Sequence, residues 1–250
     1  MIDRRRLLAS SGFCVYALLA EARAAVPADS RLTPRRWLLR QDELARGLHA
    51  GTVSQLAWHD GVNALAREVD VAELAALIRA SETISAGKPP ADDHDPAKRF
   101  VRFRGDDGTP MHFAYGTALF AFERDNVITP HAHKHMASAH MVLEGRVRIR
   151  TFDRVADEDG ALVIRPTRDV VADPGHAAAM TTAKDNVHWF APRTARAMTF
   201  DVIVDGLDRG TESYVIQPVD PLGGVARADG TIRAPLLSFA ESSRRYTAAM

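Results

Sequence analysis

Cysteine is nearly absent from this 250-residue chain. Its single cysteine, Cys14, falls in a segment that reads as an export signal, so the remainder has none. Disulfides, thiolate metal sites and cysteine nucleophiles are excluded for that remainder. An excess of one charge is missing too. There are 32 basic and 32 acidic residues, so no bulk field draws the chain to nucleic acid or to a membrane surface. No glycine pattern of the Rossmann or phosphate-loop kind occurs. No internal repeat or low-complexity tract is visible. The apolar run from Leu7 to Ala20 is short of the roughly 20 residues that a membrane helix needs.

That run has the setting of a signal peptide. Asp3-Arg4-Arg5-Arg6-Leu7-Leu8 precedes it, and Ala22-Arg23-Ala24 offers a small-x-small cleavage site after it. Consecutive arginines before two leucines look like a twin-arginine signal. Residues 1–24 are therefore expected to be removed. The mature chain would begin near Ala25, in the periplasm or outside the cell, with no stable membrane span.

Residues 25–98 read as a helical region and linker. Trp37, Leu38, Leu39, Leu44 and Leu48 give a broken helical stripe. Asp70 is placed to cap a helix over 71–80, with Leu74, Leu77 and Ile78 on one face. His49 and His59 lie here without a partner at ligand spacing, and read as surface or packing groups. This region is expected to pack on the outside of a barrel. Residues 86–98, with Pro89, Pro90 and Pro96, form the expected boundary loop. From Arg99 to about residue 220 the texture is β, with many short strands and turns between them. That pattern implies a sandwich or barrel. Residues 221–250 are a C-terminal extension.

The stretch from Val127 to Thr151 stands out. It carries His131, His133, His135 and His140, four of the ten histidines. Neutral imidazole is the commonest side-chain metal ligand. Residues two apart on a strand share a face, so His131, His133 and His135 would line one side. Residues 146–150 alternate arginine with Val147 and Ile149, which puts the arginines in water and the aliphatic pair inside. Glu144-Gly145 reads as a two-residue hairpin turn. In that register Val142 faces Val147, His140 faces Ile149 and Ser138 faces Thr151, so all three of the first-named point inward. Met141 then falls on the arginine face, and no acidic residue faces the site.

His131-Ala132-His133 and the closing Gly145 resemble the first motif of the cupin superfamily. Ser138 occupies the place of that motif's glutamate, and His140, one inward position further on, could replace it. Asn186-Val187-His188-Trp189-Phe190 resembles the second motif, with His188 as its histidine. The resemblance covers about 100–216 and implies a mainly β fold, a cupin-type jelly-roll barrel preceded by helices. It also implies one metal ion held by His131, His133 and His188. His140 would serve as a fourth ligand or as a catalytic pocket group. His135 is expected at the strand end and solvated, and His176, after Pro174-Gly175, at the surface.

Imidazole ligands suit iron, zinc, copper or nickel. Iron(II) heads the metals expected here, with Zn, Ni, Cu and Mn as alternatives. Cupins of the cysteine and diketone dioxygenase type use three-histidine iron sites, so the resemblance leads towards a dioxygenase-like oxidoreductase on a small-molecule substrate. A metal-dependent isomerase, lyase or hydrolase, using the metal as a Lewis acid, stays open. So does a ligand-binding or sensor module without turnover. The oligomeric state, a homodimer included, is left open by the sequence.

Overall fold

The computed structural model describes residues 31–87, 94–207 and 215–247. The export segment and its arginines, and Pro89 and Pro90 of the boundary loop, lie outside the described residues. Three helices come first: α1 (Pro34–His49), α2 (Gln55–Leu65) and α3 (Val71–Arg79). Each is opened by a side-chain cap that accepts a backbone N–H left over at the helix start. Thr33 caps α1 ahead of Pro34, Ser54 caps α2, and Asp70 accepts from the amides of Ala72 and Glu73 to cap α3. The expected α3 is thus present, with Ala80 as its C-cap.

Among the described residues thirteen strands follow: β1 (Glu82–Ser85), β2 (Ala97–Arg102), β3 (Gly116–Glu123), β4 (Ile128–Lys134), β5 (Ala137–Glu144), β6 (Val147–Glu158), β7 (Ala161–Ala172), β8 (Ala177–Met180), β9 (Val187–Pro192), β10 (Arg196–Val204), β11 (Val215–Pro218), β12 (Val225–Ala226) and β13 (Ile232–Pro235). A last helix, α4 (Phe239–Arg245), is opened by a capping box between Ser238 and Glu241. The strands form two antiparallel sheets. One has the order β1-β2-β3-β10-β5-β8, the other β11-β4-β9-β6-β7-β13-β12. The chain is mainly β, with helices in front, as the sequence implied.

The six-stranded sheet is covered on both faces. Outside, Ala139, Met141, Phe200 and Val202 pack into one cluster with Trp37, Leu38, Trp58 and Leu74 of the helices. Inside, Phe122, Val142 and Met180 meet Val147, Ile149 and Phe190 of the seven-stranded sheet. Burying one such side chain contributes roughly 1.5–3 kcal/mol. The helices therefore sit outside the barrel, as expected, and they explain Met141. It is buried beneath them and does not share a face with the arginines.

The expected β5–β6 hairpin does not form. β5 pairs with β10 and β8, while β6 pairs with β7 and β9 in the other sheet. Glu144-Gly145 carries the chain between sheets. Gly145 has φ +68°, and a Cβ there would collide with the Arg196 carbonyl and the Thr194 hydroxyl. The facing inferred from the hairpin survives its loss. Two sheets packed face to face also turn Val142 towards Val147 and Ile149. Val147 and Ile149 are fully buried, whereas Arg148 and Arg150 bond Asp169 on the outer face.

Candidate metal centre

β4 and β9 are hydrogen-bonded neighbours, and their register sets His131 directly opposite His188. His133, two residues on, joins them on the same face by the strand period. The three rings converge: centroids lie 4.9 Å apart for His131–His133, 4.2 Å for His131–His188 and 4.7 Å for His133–His188. One nitrogen from each lies within 4.8 Å of the others. This is the trio expected from the sequence.

Hydrogen bonding assigns the tautomer of His131. Its Nδ1 is 2.8 Å from the Thr129 carbonyl, which only accepts, so Nδ1 carries the proton and Nε2 keeps a lone pair. That Nε2 is 3.0 Å from Nε2 of His133. Two lone pairs that close repel unless a proton or a cation lies between them. Nitrogens each about 2.1 Å from one ion, at right angles, would be about 3.0 Å apart. The donor set therefore fits a divalent metal. Burial keeps the rings neutral, as ligation requires. It pulls His131 down to about 4, despite its hydrogen bond to Thr129, and holds His133 and His188 well below the usual histidine value.

His140 is in the same cavity but outside this trio. Its ring is 6.4 Å from that of His188, and both of its nitrogens face the six-stranded sheet. Nδ1 is 3.0 Å from the Thr199 hydroxyl and Nε2 is 3.5 Å from Asp201. Burial lowers His140 to about 3. His135 does not lie on the His131–His133 strand face. The strand ends at Lys134, and His135 sits in the next turn at φ +61°. It is half-buried, as is His176. The expectation of a solvated His135 and a surface His176 is therefore met only halfway. His49 bonds the Ala114 carbonyl from the surface. His59 is a packing group, fully paired. It is buried between Asp60, at 2.9 Å, and Asp185, at 3.1 Å.

The cavity beside the trio has a volume of about 780 Å³. Two of its groups were missed from the sequence. Asp201 lines it, 4% exposed, which corrects the expectation that no acidic residue faces the site. Burial pushes its carboxyl well above the usual range, against the pull of the Lys98 charge and a backbone hydrogen bond from Ala139. Its signal was a lone acid alternating with Phe200 and Val202, in a strand whose apolar face the helices claim. The second is Lys98, which belongs to β2 and not to a loop. Its ammonium lies 5.1 Å from the Phe100 ring and 5.2 Å from that of Phe120.

The segment ahead of His188 is held from both sides. Asp185 has φ +53°, and Asn186 donates from Nδ2 to the carbonyls of His133 and Thr181. Asn186 thereby ties the strand of His133 to that of His188. Asp185 accepts from Thr151 and Thr167 as well as facing His59. Burial pushes its carboxyl up, but the bonds from His59 and Thr167, the charge of Arg168 and the bond from Thr151 bring it down to about 2.

No protein-family model and no curated protein matches this sequence. Solved structures with some likeness of fold include a sugar phosphate isomerase of the cupin superfamily from Silicibacter pomeroyi. It is 20% identical over 61% of this chain and 87% of that one, with a TM-score of 0.37. A cupin 2 conserved barrel domain protein from Rhodopseudomonas palustris is 12% identical over 60% of this chain and 80% of that one, at 0.36. The vicilin from Solanum melongena is 13% identical over 43% of this chain and 26% of that one, at 0.33.

Proposed function

We propose that this cupin-type barrel is a metal-dependent enzyme that acts on a small molecule by Lewis-acid and proton-transfer chemistry. The observation that carries the reading is the Asp201–His140 pair, 3.5 Å apart, in the cavity that the three converging histidines line. A divalent metal on His131, His133 and His188 would polarise a carbonyl or hydroxyl oxygen of the substrate. The chain's own groups supply the rest. Burial favours a proton on Asp201 and an uncharged ring on His140. Asp201 can then donate towards His140 Nε2, while His140 Nδ1–H is held by the Thr199 hydroxyl. Such a pair can give a proton to, or take one from, a group seated in the cavity. Phe120 and Phe190 pack on the His140 ring, at 5.1 and 4.8 Å, and keep bulk water from it.

A dioxygenase-like oxidoreductase is the second reading. The donor set favours it, because three neutral imidazoles leave coordination positions open for a substrate and O2. The sequence expectation of iron(II) belongs to this reading. Both are separated by one preparation: the mature chain purified without oxygen, its metal content measured, then a panel of small keto acids followed in D2O by NMR and with an oxygen electrode. Deuterium exchange without oxygen uptake supports proton-transfer chemistry. Oxygen uptake dependent on the bound metal supports the second reading. Protein without stoichiometric metal would overturn both, and leave a ligand-binding module. Export through a twin-arginine route remains the proposal for location, and rests on Arg4, Arg5 and Ala22-Arg23-Ala24. Exchanging both arginines for lysine should retain the precursor in the cytoplasm.

A further inference from the structure

We propose that the molecule taken into this cavity is a small carboxylate with an apolar body, and that Lys98 is the residue that selects it. The inference rests on reading the cavity as a substrate site, and adds the class of substrate.

Lys98 and Phe120 are direct partners in the β2–β3 pair, and Phe100 lies two residues along on the same face. The two rings hold the ammonium where it lines the cavity. Its charge is felt at His133, His140 and Asp201 alike. Among the described residues no carboxylate lies within ion-pair distance of it. A half-buried cation without a counter-ion is a place for an anion.

Two further residues on this wall each have an oxygen without a partner among the described residues. Ser138, 1% exposed, and Asp201 both line the cavity, and the Oγ of Ser138 and the Oδ1 of Asp201 have no hydrogen-bond partner among the described residues. Register places Ser138 opposite Ile203 and His140 opposite Asp201, so the two orphans are diagonal neighbours on one face. Buried polar groups are normally paired, by protein, by ordered water or by a bound molecule, and these two face the space a bound molecule would fill.

Carboxylate is favoured over phosphate by what is absent from the lining. Among the described residues no arginine contributes to it, so none of them offers the forked donors typical of phosphate recognition. The Lys98 ammonium and the Ser138 hydroxyl offer the donors that a single carboxylate accepts, while Asp95 and Asp205, which also line the cavity, disfavour the higher charge of a phosphate. The apolar body is argued from Phe120, Ile128, Met136, Ile203 and Ile216, which line the remainder.

Isothermal titration calorimetry on the mature chain tests this with 3-phenylpropanoate, its neutral amide, and phenyl phosphate. Each probe is titrated into metal-stripped and zinc-loaded protein, with zinc content measured on the same samples. The carboxylate should bind at least about tenfold tighter than the amide, a gap typical of one charge-assisted contact. Lys98→Met should erase the preference and Lys98→Arg should keep it. No binding of the carboxylate, equal binding of the amide, tighter binding of phenyl phosphate, or a preference that survives Lys98→Met would each overturn the proposal. Full zinc with no carboxylate preference sinks this inference alone. A Lys98-dependent preference in protein that takes up no zinc supports it, and sinks the metal reading alone.

Discussion

The two walls of the cavity are built on different plans. On the seven-stranded sheet, His131, His133 and His188 turn towards one another, and a nitrogen pair 3.0 Å apart already defines a point between them. On the six-stranded sheet, Ser138 and Asp201 are buried with an oxygen each lacking a hydrogen-bond partner among the described residues, and the Lys98 ammonium lies beside the Phe100 and Phe120 rings. The first wall has the donors to hold a single ion. The second offers scattered polar groups and apolar side chains that do not converge on one point. A cavity with one wall of each kind has the parts of a site where a metal activates what the other wall holds.

The largest expected effect falls on the first wall. A His131→Ala, His133→Ala double variant should lose stoichiometric metal entirely, with circular dichroism near that of the parent. Single replacements at either position or at His188 should do the same, since two imidazoles remain in each case. His140→Ala should leave metal content unchanged. Elemental analysis of the purified variants checks this. Full occupancy in the double variant would break the comparison between walls.

Next in size is a test of the core that joins the two sheets. Val147 is fully buried among Val142, Ile149 and Phe190. Val147→Asp places an unpaired charge there and should cost about 4 kcal/mol or more by urea denaturation. A loss below about 1 kcal/mol would mean the sheets do not pack through this residue.

Why one wall was legible and the other was not follows from how each is made. His131 and His133 announce themselves by residue type and by a period of two, both of which survive without any knowledge of strand pairing, whereas His188 was reached only through the resemblance to the second cupin motif. Nothing local identifies the second wall. Glu144-Gly145 has sound turn chemistry, and Gly145 does take a positive φ, but the chain uses that turn to change sheets. The direction of His140 was therefore inferred correctly from a pairing that does not exist. Asp201 hides in a strand where both faces are buried, so apolar alternation could not show which face held the cavity. Met141 carried the missing information. An apolar residue on a supposedly wet face required a cover on that side, and α1 to α3 provide it.

Acid should act on both walls, with opposite signs. A histidine whose value falls on folding binds more protons in the unfolded chain, so it favours folding fully above about 6.5 and progressively less below it. For His131 that loss runs from the usual 6.5 down to about 4. His133, His140 and His188 act in the same direction. Asp201 works the other way. Its carboxyl is held neutral, so it opposes folding above the ordinary carboxylate range. Four histidines against one carboxyl leave a net fall in stability of the metal-stripped protein between about pH 6.5 and about 4. Melting temperatures across that range measure it. His140→Phe, which removes one such group, should flatten the slope. An unchanged slope would place His140 in water.

Smaller still is the effect expected of Asp201→Asn. Burial already holds the carboxyl neutral, so an isosteric neutral amide should alter stability by about 1 kcal/mol or less. Metal content should stay at the parent level. Deuterium exchange of a bound keto acid should fall by about 100-fold or more, the lower end for loss of general acid–base assistance. A variant that unfolds would show that Asp201 is ionised and paired, and that the second wall is as self-sufficient as the first.

The smallest effect belongs to the outer face of β6, directly behind Val147. The sequence placed Arg148 in water, and its surroundings refine that. Its Nε and Nη2 each lie 2.7 Å from an oxygen of Asp169, a forked pair across the β6–β7 ladder. Arg150 shares the same carboxylate at 3.3 Å and lies 4.2 Å over the Trp189 ring, on the strand of His188. Removing Arg148 leaves Asp169 with Arg150, so no charge is stranded. Exposed pairs of this kind are worth about 0.2–1 kcal/mol, and salt screens them. Arg148→Ala should therefore cost less than about 1 kcal/mol, and the cost should shrink further in 1 M salt. Arg148→Asp should cost more than the alanine, because it sets a like charge against Asp169. Denaturation curves at low and high salt separate the two. A large, salt-independent loss in Arg148→Ala would mean that the outer face supports the metal strands through Arg150 and Trp189, and that the contrast between walls extends through the sheet.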